Sequence, residues 1–336
     1  MFQQVGGRLL GKGSYACTFS PVPRCDGGST TGGSVAKVSV QDMTAEVATG
    51  RTLMALRDGR DYFALPTTSC RPRLPIADPD ADKCHILKKD KPLTMAAMPN
   101  AGMSLTSWSR SGLTPANLQA VLVHVLRGMV LYQRAGYVHN DIHGGNIMVG
   151  EDGLARYIDF GQGFQPAALR SWDDLKLGRR FMAEYVWLAP ELHAIRIQGN
   201  HASARRLYTK IPEFKQLEAA YPERQGFNAA MEELRVPSMT HATAYMRKHG
   251  FRLDWWRLGV TVWQLWRRLR KGHEGSPLDK VIGGLTEFDP ARRMSPAAAL
   301  RFLTDGKDGS RRRTRRASRF ASNNRFASRS AKARRS

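Results

Sequence analysis

A long amphipathic segment and the polar turn that follows it constrain the fold of this chain more than any other feature. Residues 114–136, TPANLQAVLVHVLRGMVLYQRAG, repeat apolar side chains at helical spacing and begin with Thr114, a predicted helix cap. The next segment, YVHNDIHGGNIMV at 137–149, holds Asp141 and Asn146 five residues apart, with glycines between them and apolar residues at both edges. A helix therefore delivers two oxygen-bearing side chains to one turn, which indicates a functional site on a rigid support.

A second acidic residue is predicted to return to this turn. Residues 146–149 and 154–158 are mostly apolar and are separated by Glu-Asp-Gly, which predicts a β-hairpin. Asp159 follows the second strand and would therefore lie beside Asn146. Hard cations such as Mg²⁺ bind carboxylate and amide oxygens together with phosphate oxygens. We expect Asn146 and Asp159 to bind such a cation, which leaves Asp141 free to accept a proton from an attacking hydroxyl.

The N-terminal region supplies a glycine turn and a strand lysine. Residues 7–22 predict two strands joined by the turn, and residues 34–40 predict a third strand that carries Lys37. Because a strand follows the glycines where a dinucleotide-binding fold has a helix, the turn would either cover phosphates with its N–H groups or be a plain hairpin. Lys37 would either reach phosphate oxygens or be an ordinary edge-strand lysine. Glu46, which could orient it, is the only glutamate between Lys37 and residue 151.

Three further helices are predicted along the chain. Residues 44–56 form the first, with Thr44 as its cap and Gly50 as a weak point inside it. A largely buried helix follows Asp254 in DWWRLGVTVWQLWRRLR, and a short final helix is predicted at 295–303. A small strand-rich part thus precedes a larger helical part, and the fold should end with the final helix.

Composition and cysteine spacing indicate a globular, intracellular protein. Hydrophobic residues make up 42% of the 336 positions, and no apolar run approaches the roughly 20 residues of a membrane span. The N-terminus has no basic-then-apolar signal pattern. The four cysteines contain no C-x-x-C pair, so we expect reduced thiols and no zinc site; they are Cys17, Cys25, Cys70 and Cys84.

The C-terminal segment is strongly basic. Residues 306–336 hold twelve Lys/Arg and one acid, which places +11 of the net charge of +23 in this segment. It has few apolar residues and no helical or strand period, so we predict that it is disordered. Its cations could bind nucleic acid or another polyanion, with Phe320 and Phe326 stacking on bases, or serve as a nuclear-import signal.

Taken together, these motifs resemble those of the eukaryotic-type protein kinases. That family has a glycine loop, a strand lysine, H-R-D-x-x-x-x-N, D-F-G and A-P-E, in this order. The matching residues here are Gly11-Lys12-Gly13, Lys37, His139-Asn140-Asp141 with Asn146, Asp159-Phe160-Gly161 and Ala189-Pro190-Glu191. Two later motifs are similar to the family's D-x-W-x-x-G and D-P-x-x-R elements, namely Asp254 to Gly259 and Asp289 to Arg293. In the family, the arginine of the last motif pairs with the glutamate of A-P-E, which implies a pair between Arg293 and Glu191.

The resemblance covers about residues 8–303 and implies an α+β fold. We expect a bilobal, protein-kinase-like architecture with a small β-rich N-lobe, a larger α-helical C-lobe and a disordered basic tail. The predicted ranges are 1–100 for the N-lobe, 101–304 for the C-lobe with an insert at about 192–250, and 305–336 for the tail. The 62 residues between Glu191 and Asp254 exceed the family's usual spacing, and this layout is similar to kinases of large DNA viruses.

The resemblance also implies roles for the site residues. Asp141 would orient and deprotonate the substrate hydroxyl, and Asn146 and Asp159 would bind Mg²⁺, or Mn²⁺ in its place. Lys37, paired with Glu46, would hold the α- and β-phosphates of ATP. The residues expected to contact ATP are Leu10, Gly11, Lys12, Gly13, Ser14, Thr18, Val35, Lys37 and Glu46.

Two of the positions that depart from the family pattern, His143 and Asn140, lie in the turn at 137–149. His143 stands where serine/threonine kinases have a lysine that touches the γ-phosphate, and it would donate a hydrogen bond there or merely pack beside the turn. Asn140 replaces the H-R-D arginine, which reads a phosphate on the activation loop in the family. The replacement implies activity that does not depend on such phosphorylation.

The implied function is a Mg·ATP-dependent serine/threonine protein kinase that acts on protein substrates. It would work in the cytoplasm or nucleus, or in a host cell or virion if the protein is viral. A first alternative is a small-molecule kinase, because the run at 141–146 also resembles aminoglycoside and choline phosphotransferases. The A-P-E motif and the Arg293 element favour the protein kinase. A second alternative is a catalytically inactive kinase fold whose basic tail binds nucleic acid.

Overall fold

The computed structural model describes residues 8–13, 15–28, 33–76, 80–171, 174, 186–197, 208–233 and 239–305. A mixed α+β arrangement is formed, in which a five-stranded antiparallel sheet precedes a mainly helical part. The strands are β1 (Arg8–Lys12), β2 (Ala16–Ser20), β3 (Val35–Ser39), β4 (Thr68–Cys70), β5 (Thr94–Met98), β6 (Met103–Ser104), β7 (Ile147–Val149) and β8 (Ala155–Tyr157). This arrangement is compatible with the bilobal fold of a kinase.

Most of the helices in the described residues follow β5 in the chain. They are α1 (Thr44–Met54), α2 (Gly59–Tyr62), α3 (Leu105–Trp108), α4 (Pro115–Arg134), α5 (Pro190–Ile197), α6 (Pro212–Ala220), α7 (Phe227–Glu233), α8 (Met239–His249), α9 (Phe251–Trp266), α10 (Pro277–Leu285) and α11 (296–305). Across the described ranges, no helix combines the length and apolar content that crossing a membrane requires.

Strand β3 is the central strand of the five-stranded sheet, whose order is β1-β2-β3-β5-β4. Lys37 on β3 lies opposite Thr18 of β2 and Ala96 of β5. The alternative that Lys37 is an edge-strand lysine is therefore wrong. Because β3 is hydrogen-bonded on both sides, the sheet holds the backbone of Lys37 rigidly and can position its side chain.

Helix α1 begins where the sequence predicts, but the prediction of its cap is wrong. Met43, not Thr44, occupies the N-cap position, and the Thr44 hydroxyl donates to the Asp42 carboxylate at 2.6 Å. Gly50 lies inside the continuous helix, and a β-carbon at this position would overlap the carbonyl oxygen of Pro66. Glycine at position 50 therefore lets α1 lie closer to the backbone of Pro66 than a residue with a β-carbon would allow.

Helices α4 and α9 contribute much of the apolar core of the helical part. Thr114 caps α4 as predicted, and its side chain exchanges capping-box hydrogen bonds with Asn117. Helix α9 is also confirmed, although it begins at Phe251, three residues before the predicted start. Trp256 and Trp266 of α9 are fully buried. The turn at 137–149 is thus supported by two well-packed helices.

Two disulfide bonds cross-link the region of the five-stranded sheet. Cys17 of β2 is bonded to Cys84, and Cys25 is bonded to Cys70 of β4. The prediction of reduced thiols is therefore wrong. The paired cysteines are 67 and 45 residues apart, so their spacing in the sequence did not mark them as partners. One bond ties the segment between β4 and β5 to β2, the other ties the segment after β2 to β4, and both restrict the unfolded chain.

The predicted insert at 192–250 is described in part. It contains the helices α6 and α7, whereas residues 198–207 and 234–238 lie outside the described residues. The predicted tail also lies outside them, apart from Asp305 at the end of α11. The boundaries of the two lobes, the insert and the tail stay predictions.

The predicted pair between Glu191 and Arg293 is confirmed. The Arg293 guanidinium donates Nη1 to Glu191 Oε1 at 2.9 Å and Nη2 to Oε2 at 3.0 Å, and both side chains are almost fully buried. Arg293 also lies over the ring of Trp256, with 5.4 Å from its guanidinium carbon to the ring centroid. The start of α5 is thereby bonded to the segment that follows α10.

Truncating Glu191 to alanine is expected to lower the free energy of unfolding by about 3–5 kcal/mol, because Arg293 would remain as a buried charge without its partner. Urea denaturation of Glu191→Ala, Arg293→Ala and the double variant would measure this loss and the coupling between the two side chains. The exposed pair of Asp152 and Arg156, with 2.6 Å between Oδ2 and Nη2, is the control and should contribute less than about 1 kcal/mol. Equal losses for the two pairs would contradict the prediction.

Candidate active site

The turn at 137–149 is anchored by Asp254 of α9. The buried Asp254 carboxylate accepts the backbone N–H groups of His139 at 2.7 Å and Asn140 at 2.9 Å, and the Tyr132 hydroxyl at 2.9 Å. Burial raises the pKa of Asp254, and the two backbone donors oppose the rise. Asn140 has a φ of 61°, in the left-handed region, so these bonds hold the turn in a conformation that non-glycine residues rarely adopt.

His139 links the turn to the strand that leads to Asp159. Its imidazole is fully buried, with Nε2 at 2.9 Å from the carbonyl oxygen of Ile158. Its Nδ1 accepts the backbone N–H of Asp141 at 3.3 Å. Nδ1 is therefore the acceptor and Nε2 the donor, which is the arrangement of a neutral imidazole. The ring positions Asp141 and the residue before Asp159 relative to one another.

Asp141 and Asn146 are in direct contact. The side-chain amide of Asn146 donates to the backbone carbonyl of Asp141 at 2.9 Å and to its carboxylate at 3.2 Å. The backbone carbonyl of Asn146 in turn accepts the N–H of Ile158 at 3.1 Å, which is part of the confirmed β7–β8 hairpin. Because Nδ2 makes the bonds to Asp141, Oδ1 is the atom of this amide that can bind a cation.

Lys37 bridges two carboxylates. Its ammonium lies 3.0 Å from each carboxylate oxygen of Glu46 and 2.9 Å from Oδ1 of Asp159. The structure thus brings Glu46 to Lys37 although only nine residues separate them. A β-carbon at Gly161 would lie 3.0 Å from Asp159 Oδ1 and 3.3 Å from Glu46 Oε2. Glycine at position 161 therefore leaves room for the two acids to meet at one lysine.

Burial and charge act differently on these three groups. Burial disfavours the Lys37 ammonium, but the charges of Asp159 and Glu46 outweigh burial and raise the pKa of Lys37. Burial raises the pKa of Glu46 against the opposing charge of Lys37. Burial would also raise the pKa of Asp159, but the positive charge of Lys37 outweighs burial and lowers that pKa. Asp159 is therefore the more readily ionised of the two acids.

His143 lies beside Asp141 as a neutral side chain. Its Nδ1 accepts the backbone N–H of Gly145 at 3.0 Å, so the proton of the neutral ring is on Nε2, which lies 3.9 Å from Asp141 Oδ2. Burial lowers the pKa of His143, although the charge of Asp141 opposes the shift. The side chain can donate a hydrogen bond next to Asp141 without carrying a charge at neutral pH.

Arg257 is a site residue that the sequence analysis missed. Only 3% of it is exposed, and its Nη2 donates to Asn140 Oδ1 at 3.0 Å. Its Nη1 lies 4.0 Å from Asp141 Oδ1. The fold thus brings the Arg257 guanidinium from α9 to the turn at 137–149. In this turn, Asn140 occupies the position where the motif of protein kinases has an arginine. A signal was present, because Arg257 is the one charged residue in WWRLGVTVWQLW.

A cavity of about 170 Å³ joins the glycine hairpin to the acidic residues. The predicted site residues that line it are Gly13, Lys37, Glu46, Asp141 and Asp159. Other described candidates do not line it, namely Leu10, Gly11, Lys12, Thr18, Val35, His143 and Asn146. Ser14 lies outside the described residues. The wall also includes Tyr15, Ser39 and Gln41, which no spacing pattern marked.

Comparisons with known proteins indicate a distant relationship to protein kinases. No family model matches the chain. The chain is 31% identical to germinal center kinase 3 of Caenorhabditis elegans over 81 residues, which cover 24% of this chain and 14% of the relative. It is 28% identical to the serine/threonine kinase NLK of the same organism over 218 residues, which cover 59% of this chain and 32% of the relative. These matches span about a third or less of either relative, and they support a protein kinase at the level of the family.

Proposed function

We propose that this chain is a protein kinase that transfers the terminal phosphoryl group of ATP to serine or threonine hydroxyls of proteins. The observation that carries the proposal is the cavity shared by the glycine hairpin, Lys37, Asp141 and Asp159. Phosphoryl transfer is catalysed mainly by positioning and charge neutralisation, which require an ammonium, a proton acceptor and cation ligands. The cavity is lined by the ammonium of Lys37, the proposed proton acceptor Asp141 and one proposed cation ligand, Asp159, and the second ligand, Asn146, bonds to Asp141.

Each group has a separate task in the proposed reaction. Asp141 would orient the attacking hydroxyl and accept its proton, while the Nε2–H of His143 would donate a hydrogen bond beside it. Lys37, oriented by Glu46, would bind phosphate oxygens of ATP. The backbone N–H groups near Gly13 would cover the phosphates from the other side.

The donor set fits a hard divalent cation. Asn146 offers an amide oxygen, and Asp159 offers a carboxylate whose pKa is lowered by the charge of Lys37 despite its burial. We therefore infer that Asn146 and Asp159 hold Mg²⁺, or Mn²⁺ in its place. The bound cation would neutralise charge on the phosphate oxygens.

We further propose that activity does not depend on phosphorylation of the activation loop. Asn140 replaces the arginine that reads such a phosphate in kinases. The buried guanidinium of Arg257 bonds to Asn140 and lies near Asp141, so the turn already has a cation beside it. Because this guanidinium is buried and bonded within the turn, it is not presented to a phosphate on the loop.

The buried pair of Glu191 and Arg293 favours a protein substrate over a small molecule. In protein kinases this pair braces the platform that binds peptides, and small-molecule kinases generally lack it. Binding of nucleic acid by the tail and the resemblance to kinases of large DNA viruses stay predictions, since both relatives named above come from a nematode. Localisation in the cytoplasm, nucleus or a virion also stays a prediction, and the two disulfide bonds favour an oxidising compartment at some stage.

Incubation of the full chain with γ-labelled ATP and Mg²⁺ tests the function. One set of reactions contains a protein and peptide mixture, and a second set contains aminoglycosides, choline and sugars. Label in serine or threonine of the proteins, absent with the Asp159→Ala variant, is the expected result. Label in the small molecules alone would replace the proposal with a small-molecule kinase, and no label at all would favour the inactive fold.

A further inference from the structure

A second cavity, of about 340 Å³, adjoins the catalytic turn and shares no lining residue with the first. Three elements contribute to its walls: α3 with the residues after it, the turn at His143 and Gly144, and the C-terminal end of α9. The side chain of Trp187, which precedes the A-P-E motif, completes the lining. We call this cavity the arginine pocket, after Arg110, Arg267 and Arg268 in its lining.

The walls of the arginine pocket are held together by specific contacts. The Gly144 carbonyl accepts the backbone N–H of Thr106 at 3.1 Å, and a β-carbon at Gly144 would overlap the Thr106 hydroxyl. The indole of Trp187 donates to the Thr261 hydroxyl at 3.1 Å. These contacts join the turn to α3, and they join Trp187, two residues before A-P-E, to α9. The pocket is therefore formed in advance of any ligand.

Positive charge dominates the lining. Arg110, Arg267 and Arg268 are exposed, and the described lining contains no aspartate or glutamate. Arg267 donates to the amide oxygen of Gln216 at 2.9 Å, a contact that leaves its charge unbalanced. In the part of the chain that the structure describes, none of the three arginines forms an ion pair.

Helix stability explains only part of this cluster. Arg267 and Arg268 directly follow the last residue of α9, where cations interact favourably with the helix dipole. Arg110 comes from a different element, after α3, a helix of only four residues. Arginines from two elements therefore converge on one pocket, and a guanidinium binds carboxylates and phosphates through paired hydrogen bonds.

The pocket is adjacent to the proposed proton acceptor. His143 lines the pocket, and its Nε2 lies 3.9 Å from Asp141 Oδ2. The ring centroids of His143 and Trp187 are 6.1 Å apart, so the indole continues the wall away from the turn. A group bound in the pocket would lie within a few residues of a hydroxyl held at Asp141, because each extended residue spans about 3.3 Å.

We propose that the arginine pocket binds an anionic side chain of the protein substrate, a carboxylate or a phosphorylated serine, close to the acceptor hydroxyl. The inference rests on the proposed function and specifies its substrate class. The kinase would select acidic segments of proteins, and the net charge of +23 would attract such segments before they bind.

A peptide series tests this proposal with the full chain. Each peptide has one serine acceptor, and each flanking position in turn carries glutamate, phosphoserine, alanine or lysine. We expect glutamate or phosphoserine at one or more positions to raise kcat/KM about tenfold or more over lysine. A larger gain for phosphoserine would identify a phosphate site, whereas equal or larger gains for glutamate would identify a carboxylate site.

Charge-reversal variants test whether the arginine pocket causes the preference for acidic peptides. The double variant Arg110→Glu/Arg268→Glu should invert the ratio of acidic to lysine peptides, and Arg110→Gln/Arg268→Gln should bring it near one. Arg301→Glu, on the exposed part of α11, is the matched control and should leave the ratio unchanged. A flat peptide profile, or a preference that both double variants retain, would overturn the inference but leave the kinase function standing. Transfer to none of the peptides would overturn the proposed function and the inference with it.

Discussion

Replacing Asp159 by alanine is expected to lower the turnover of phosphoryl transfer by about 10³-fold or more. The substitution removes one of the two proposed cation ligands and also one of the two acids that bind Lys37. Without Asp159, less negative charge opposes the burial of the Lys37 ammonium, so the pKa of Lys37 should fall toward its ordinary value. The substitution would thus remove a proposed cation ligand and also a contact that positions Lys37.

Rates measured with one peptide over a wide range of Mg²⁺ concentrations would check this expectation. High Mg²⁺ should restore little activity to Asp159→Ala, because the lost ligand also serves Lys37. The control is Asp152→Ala, which removes an exposed acid on the turn of the β7–β8 hairpin and should leave the rate within about twofold. A folded Asp159→Ala protein with more than a tenth of the normal turnover would contradict the proposed role.

Replacing Asp141 by alanine is expected to lower turnover by about 10²- to 10⁴-fold, the usual contribution of a positioned proton acceptor. The variant Asp141→Asn is the sharper test. Its amide is similar in shape and can keep a contact with Asn146, but it cannot take up the proton of the hydroxyl. We expect this variant to be nearly as slow as Asp141→Ala.

The affinity for ATP separates a proton acceptor from a nucleotide-binding residue. Both Asp141 variants should bind ATP within a few-fold of the unchanged protein, because their defect lies in the transfer step. Equilibrium binding of a fluorescent ATP analogue, together with thermal unfolding, would measure this. Loss of ATP binding in parallel with activity, or turnover of Asp141→Asn above a tenth of normal, would exclude the assigned role.

Arg257 links these effects to the fold. The guanidinium is buried beside Asn140 and Asp141, so its charge is weakly screened there. Asp254, on the same helix, accepts two N–H groups of the turn. One buried helix therefore supplies both the anchor of the turn and the cation next to its proton acceptor. The site depends on α9 as much as on the turn itself.

Local signals in the sequence predicted much of the fold. Helix α4 followed from apolar spacing and from the Thr114 cap, and the β7–β8 hairpin followed from two apolar runs around Glu-Asp-Gly. These elements could be predicted because capping and side-chain periodicity act over a few residues. The pair of Glu191 and Arg293 was also predicted, through the order of motifs in a family.

Other features required the folded chain. The cysteine pairs, the contact of Gly50 with Pro66 and the bridge from Lys37 to Asp159 join residues whose separation carries no local pattern. Thr44 is the first residue of α1 and not its cap, and its hydroxyl bonds to the neighbouring Asp42. The sequence shows Arg257 as an unusual charged residue in an apolar helix. It does not show that Asn140, 117 positions away, is the hydrogen-bond partner of Arg257.

The sequence by itself therefore determined which chemical groups the chain carries and the short elements that present them, because propensity, periodicity and capping are short-range. Only the tertiary structure decided which groups meet: two acids at Lys37, a guanidinium beside Asp141, and three arginines around one pocket. The physical reason is that these contacts depend on how the helices and the sheet pack together, and packing is a property of the whole core.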